Sequence, residues 1–203
     1  MLATRKTRGF SLIEMMVAVA ILLIASAISV ISIQPALKAA RVNQGYNTAL
    51  GVLRQARDNS IGQRQVFIVT FNAGGNPDNI TITQALTGNV LYTYTLPSDV
   101  LFTVVPGFPT SQAAFPLTPD GFGVGATAID FDQNIVGGIK NVIYFQPDGS
   151  AQDVNGSINN GVVYITRAVD LSDARAITLW GATGRLRGWH MYTQGATYYW
   201  REQ

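Results

Sequence analysis

The 203-residue chain has no cysteine. That excludes a disulfide framework, a thiol nucleophile and a thiolate metal site together. It does not choose a compartment, because cysteine-free chains suit reducing and oxidising surroundings alike. Histidine is almost absent, with His190 alone, and charged residues make up only 13% of the chain. No nucleophile elbow, no H-E-x-x-H helix and no phosphate-binding glycine loop is present, so the expectation is a non-enzyme without a cofactor. From residue 15 to residue 37 there is no charge at all. At roughly 1.5 Å per helical residue, such a run spans a hydrocarbon core of about 30 Å with some tilt.

The basic character (pI about 9.0) sits largely in a leader, since Arg5, Lys6 and Arg8 all precede Gly9. Without residues 1–9, 11 basic groups face 12 acidic ones, a net of −1. What remains is uneven. Residues 38–64 hold five basic groups and Asp58, residues 65–166 hold Lys140 and seven aspartates, and residues 167–203 hold five arginines and three acids. Local patches of either sign follow from such a pattern. The leader charges place the N-terminus on the cytoplasmic side of a membrane and the remainder across it. Glu14 stands at the start of the apolar run, where an ionised carboxylate is expensive and implies a partner.

The string Arg8-Gly9-Phe10-Ser11-Leu12-Ile13-Glu14 resembles the N-terminal signal of type IV pilins and type II secretion pseudopilins. The resemblance implies a prepilin peptidase that cuts between Gly9 and Phe10 and methylates the new amine on Phe10. It also supplies the partner of Glu14, namely the terminal amine of a neighbouring subunit as helices stack into a filament. Two opposite charges in low dielectric offset much of each other's desolvation and set register more than they add stability.

Pro35 predicts a kink near the end of the apolar run. Beyond it, Val42, Tyr46, Ala49, Leu53 and Ala56 recur on one helical face. Gly45 and Gly51 weaken that helix locally, and Asn59-Ser60-Ile61-Gly62 supplies a stop. The period then changes to two. Strands are expected at 65–71, 80–84, 90–96, 100–105, 141–145, 161–166, 176–180 and 185–191, with a loop-rich excursion over 106–140 that can hold a short strand near 128–131. The expectation is an α+β fold, a long N-terminal helix packed on antiparallel sheets. Its parts are a leader (1–9), a transmembrane or filament-core helix (10–34), an amphipathic helix (35–62) and a β head (63–203).

The head resembles the GspH/FimT minor pilins and pseudopilins in three scattered cues. These are the helix-to-strand passage from Leu53-Arg54-Gln55-Ala56-Arg57 to Gln65-Val66-Phe67-Ile68-Val69, the turn Phe145-Gln146-Pro147-Asp148-Gly149, and the closing hairpin 176–187 that ends in Gly184-Arg185-Leu186-Arg187. The resemblance implies a minor subunit in a type IV pilus or a type II secretion pseudopilus, anchored in the inner membrane with other pilin subunits as partners. In some FimT-type pilins a Gly-Arg-x-Arg element takes up DNA, which makes Arg185 and Arg187 candidate DNA contacts. In a strand the two project to one side. An ordinary hairpin with a basic solvent face explains the same residues. Asp130, Asp132 and Asn134 alternate like the start of a calcium loop but lack its glycine and distal glutamate, and no metal is assigned. Asp148, Asp153 and Asn155 lie in another turn that could contribute oxygens, but they too read as residues that solvate a turn.

Overall fold

A computed structural model describes residues 10–104, 119–123, 127–131, 140–167, 170–195 and 197–203. Two compact units divide the chain, residues 1–38 and residues 39–203. One helix, α1 (Leu12–Gln63), is the only long helix among the described residues. Within the first unit its described apolar side chains are exposed, and its most apolar 18-residue window has a mean hydropathy of 2.7. By length and composition this helix can cross a membrane. Ser26 and Ser29 donate their hydroxyls to Leu22 O (2.7 Å) and Ala25 O (2.9 Å) one turn back, which satisfies them without water. The helix runs through Pro35 without a break.

In the second unit, the whole expected stripe of α1 is buried: Val42, Tyr46, Ala49, Leu53 and Ala56, with Leu50 and Val52 widening it. Gly45 differs from the expectation that it merely weakens the helix. A Cβ there would lie 2.9 Å from Val100 Cγ1, so the helix approaches its neighbour too closely for a side chain. The helix ends one residue beyond the expected stop. Arg64 takes the left-handed conformation (φ 52°), and Gln65 N–H donates to Ser60 O at 3.2 Å, the six-to-one bond of a Schellman cap.

Ten strands follow among the described residues. The first sheet holds β1 (Phe67–Asn72), β2 (Asn79–Gln84), β3 (Val90–Thr95), β5 (Val142–Phe145) and β6 (Ala151–Gln152) in the order β3-β2-β1-β5-β6. The second holds β4 (Ile129–Asp130), β7 (Gly161–Arg167), β8 (Asp170–Trp180), β9 (Arg185–Gln194) and β10 (Thr197–Glu202) in the order β10-β9-β8-β7-β4. Every recorded pairing is antiparallel. The α+β expectation holds.

The main core joins the α1 stripe to Phe67, Val69, Phe71, Ile80, Ile82, Ile143 and Phe145 of the first sheet and to Val163, Ile165, Ile177 and Leu179 of the second. The alternate residues Val162, Tyr164, Ala174 and Ala176 turn the other way, into a second cluster with Phe122, Met191 and Trp200. The second sheet is therefore covered on both faces over β7 and β8, whereas alternation survives on β1.

Three strand expectations need correction. Segment 100–104 is a buried strap whose one ladder contact is the bridge Leu101–Thr166. Val100 and Phe102 alternate inward, but the Phe102 N–H donates to Asp78 Oδ2 (2.8 Å) and not to a strand. Strand β8 begins at Asp170, well before 176, because Arg167 pairs with Asp170 across a register shift in β7. Strand β10, absent from the expectation, pairs Trp200 with Met191 and closes the sheet. Residue 105 of the expected strand, and 106–118, 124–126 and 132–139 of the expected excursion, lie outside the described residues.

Asp99 links α1 to β7. Its Oδ2 accepts from Arg41 (3.2 Å) and Arg167 (2.9 Å). Desolvation raises its pKa, but the Arg41 hydrogen bond and the charges of Arg41 and Arg167 together outweigh that and hold the carboxyl below its ordinary value. The contribution to stability is complete above the ordinary carboxylate range and is lost as pH falls through the lowered pKa. Acid titration of thermal stability should fall less steeply in Asp99→Asn than in the parent.

Gly188 lies under Tyr46, where an added Cβ would overlap the phenol oxygen. Gly188→Ala should cost about 1–3 kcal/mol in urea unfolding followed by tryptophan fluorescence.

Candidate functional site

Two places gather the residues that the sequence singles out. At the start of α1, Ser11 is the N-cap. Its Oγ accepts from Glu14 N–H (3.3 Å), and Glu14 Oε2 accepts from Ser11 N–H (3.4 Å), a reciprocal capping box. A carboxylate in the first turn also meets the positive end of the helix dipole. Glu14 thus has a local partner that the sequence reading missed, although Ser-x-x-Glu before an apolar run is its written signal. Phe10 is 78% exposed, just ahead of the helix. Gly9 and the rest of the leader lie outside the described residues.

The second place is where the three scattered head motifs meet. Arg57, near the end of α1, donates from Nε to Gly149 O (3.3 Å) and from Nη2 to Thr183 O (3.1 Å). It therefore clamps the 146–150 turn and the β8–β9 turn to the helix. Gly184 (φ 61°) stands at their junction, where a Cβ would overlap the Gly149 carbonyl oxygen. The glycine of Gly-Arg-x-Arg is set by this close approach of two backbones.

Arg185 and Arg187 occupy alternate positions on β9, but their surroundings differ. Arg185 is exposed, opposite Trp180 on β8. Arg187 is partly buried: its Nη1 lies 2.7 Å from Asp120 Oδ1 and its Nε 3.4 Å from Glu202 Oε1. Asp120, with a side chain only 4% exposed, is a hub. Its Oδ2 also accepts from the Thr178 hydroxyl and from Trp180 Nε1 (3.2 Å), and Trp189 Nε1 donates to Thr178 Oγ1 (3.0 Å). Arg187 is thus the counter-ion of a buried acid and is not an open phosphate ligand. Asp120 lies in the loop-rich segment, and no spacing in the sequence points to it.

Residues 4–30 match the family described as the prokaryotic N-terminal methylation motif. The chain carries a type IV pilin-like N-terminus. The matched stretch takes in Gly9, Phe10, the capping box and residues 15–30 of the apolar run. Among solved structures, the chain is similar to the type IV minor pilin FimU of Pseudomonas aeruginosa PAO1, with 9% identity, a TM-score of 0.43, and coverage of 76% of this chain and 89% of that one. No curated protein matches.

The remaining candidates have other occupations. Asp148 Oδ1 accepts from Ser150 N–H (2.8 Å), and Asp153 Oδ1 accepts from Asn155 N–H (2.8 Å) and Ser157 N–H (2.9 Å), so both acids close turns. Asp130 is fully buried on β4, whereas Asp132 and Asn134 lie outside the described residues. Burial, and secondarily the Asp130 charge, pushes the Tyr164 hydroxyl well above its ordinary pKa. Among the described residues no group of three His, Asp or Glu side chains is placed to hold a metal ion. His190 packs its ring 4.4 Å from that of Tyr192, and neither ring nitrogen has a hydrogen-bond partner among the described residues.

Removing Arg187 leaves Asp120 buried without its cation, so Arg187→Ala should cost about 2 kcal/mol of stability. Arg185→Ala should stay within about 0.5 kcal/mol of the parent, as surface substitutions do. Parallel urea melts check both.

Proposed function

We propose that this protein is a minor pilin or pseudopilin, a membrane-anchored structural subunit that assembles into, or primes, a type IV pilus or type II secretion pseudopilus. The carrying observation is the methylation motif, in register with a helix that begins at Leu12 and stays apolar and exposed along its first unit. Prepilin peptidase cuts after Gly9 and methylates Phe10. The α-amine of Phe10 is then the cation nearest the apolar segment. The helix inserts into the inner membrane with the leader side cytoplasmic and the head periplasmic. On assembly it exchanges lipid for the helices of other subunits.

Glu14 serves both stages. In the single chain it caps its own helix. In the filament it faces the terminal amine of a neighbour, and the capping bonds of 3.3 and 3.4 Å are long enough to yield to a charged partner. DNA uptake is the weaker reading, because one of its two arginines is engaged by Asp120 and Glu202 while Arg185 alone stands open.

Glu14→Ala should leave membrane fractionation intact and sharply reduce recovery in sheared filaments, with the mature N-terminus still beginning at methylated Phe10 by mass spectrometry. Normal filament recovery by the variant would remove the assembly role of Glu14.

A further inference from the structure

Beside the Arg57 clamp lies a cavity of about 280 Å³ that the proposed function does not use. Arg54, Arg57 and Asp58 line it from the last turns of α1, and Thr183, Gly184 and Arg185 line it from the β8–β9 turn. Three arginines and one acid thus share a wall. The ion pairs recorded among the described residues engage Arg41, Arg167 and Arg187, and none involves these three. Arg57 is held in place by two neutral carbonyls, which orient its guanidinium without neutralising it. A guanidinium has five N–H donors, and the two carbonyls engage two of them. The plane of Arg57 is therefore fixed before a ligand arrives, which lowers the ordering cost of binding. Gly184 lines the cavity without a side chain, and a Cβ there would lie 2.6 Å from Arg57 Nε.

We propose that this cavity receives a single carboxylate, supplied by an aspartate or glutamate on the head of a neighbouring subunit. The source of that carboxylate rests on the filament-subunit reading; the site itself does not. A planar guanidinium fork matches a carboxylate. A nucleic-acid backbone fits less well. It carries a charge every ~1.7 Å along a duplex and needs an extended basic track. Here Asp58 stands in the wall, Asp148 belongs to the adjoining turn, and the next arginine along β9 is already paired to Asp120 and Glu202. The surrounding charge favours one monoanion over a chain of them.

The test uses the full chain in detergent micelles with ¹⁵N-labelled arginine, reading the Nε–H signals. The probes are N-acetylglutamate amide and a short oligothymidylate. The acetylglutamate amide should shift the Arg54 and Arg57 signals saturably. Arg54→Gln, which removes an exposed charge that makes no ion pair among the described residues, should weaken that binding roughly tenfold without lowering the melting temperature. The proposal is overturned if no saturable shift occurs or if Arg54→Gln leaves the affinity unchanged. It is equally overturned if the oligothymidylate moves the same signals at lower concentration, which would make the cavity a nucleic-acid phosphate site. Because the titration needs no filament, its failure is distinct from failure of the Glu14 experiment.

Discussion

The second unit depends on burying one face of α1. Val42, Tyr46, Ala49, Leu53 and Ala56 present small and large side chains in turn, and the sheets conform to them. Small residues let the backbones approach. Gly45 admits Val100 to the helix surface, and Gly188 admits the Tyr46 phenol to β9. Dense packing of this kind tolerates little change of volume, so the positions of both sheets are tied to the helix. Polar contacts then fix the edges of the packing: Arg41 and Arg167 meet on Asp99, Tyr94 donates its hydroxyl to Gln55 (2.7 Å), and Arg57 binds two turns.

A buried arginine shows how polar groups are accommodated in this arrangement. Arg175 on β8 lies against α1, where Asn43 Oδ1 accepts from its Nε at 2.9 Å. Desolvation lowers its pKa, while the nearby Asp173 charge and the oxygens of Tyr192 and Tyr46 oppose that shift. Tyr46 in turn has its pKa raised by burial and partly restored by Arg54 and Arg175. Helix and sheet thus share an electrostatic contact inside the same interface that the apolar stripe builds.

Much of this was legible in the sequence because the relevant signals are local. The charge-free run and the 3.6-residue stripe both lie within α1, and the switch to period two falls where α1 gives way to β1. The failures came where long-range contacts decide. Segment 100–104 alternates like a strand, but a distant aspartate takes a backbone donor that a ladder would have used. The polar start of β8 hides a strand held by its partner β7. Strand β10 has a local cue in Tyr198, Tyr199 and Trp200, but its pairing with β9 is what makes it a strand. At the candidate site, Arg185 and Arg187 look equivalent by spacing. The difference between them is made by Asp120, which lies over sixty residues away in a segment without pattern.

The junction of Gly184, Gly149 and Arg57 also bears on how such a head can diverge. Three segments far apart in the chain share one small volume, and each is fitted to the other two. A side chain added at Gly184 meets the Gly149 carbonyl and the guanidinium, one added at Gly149 is strained by its positive φ (82°) and crowds Ile61, and a shorter residue at Arg57 releases both turns. None of the three can drift alone. Substitutions there should be accepted only in sets, so that residues 57, 149 and 184 vary together or stay fixed while the surrounding loops change freely.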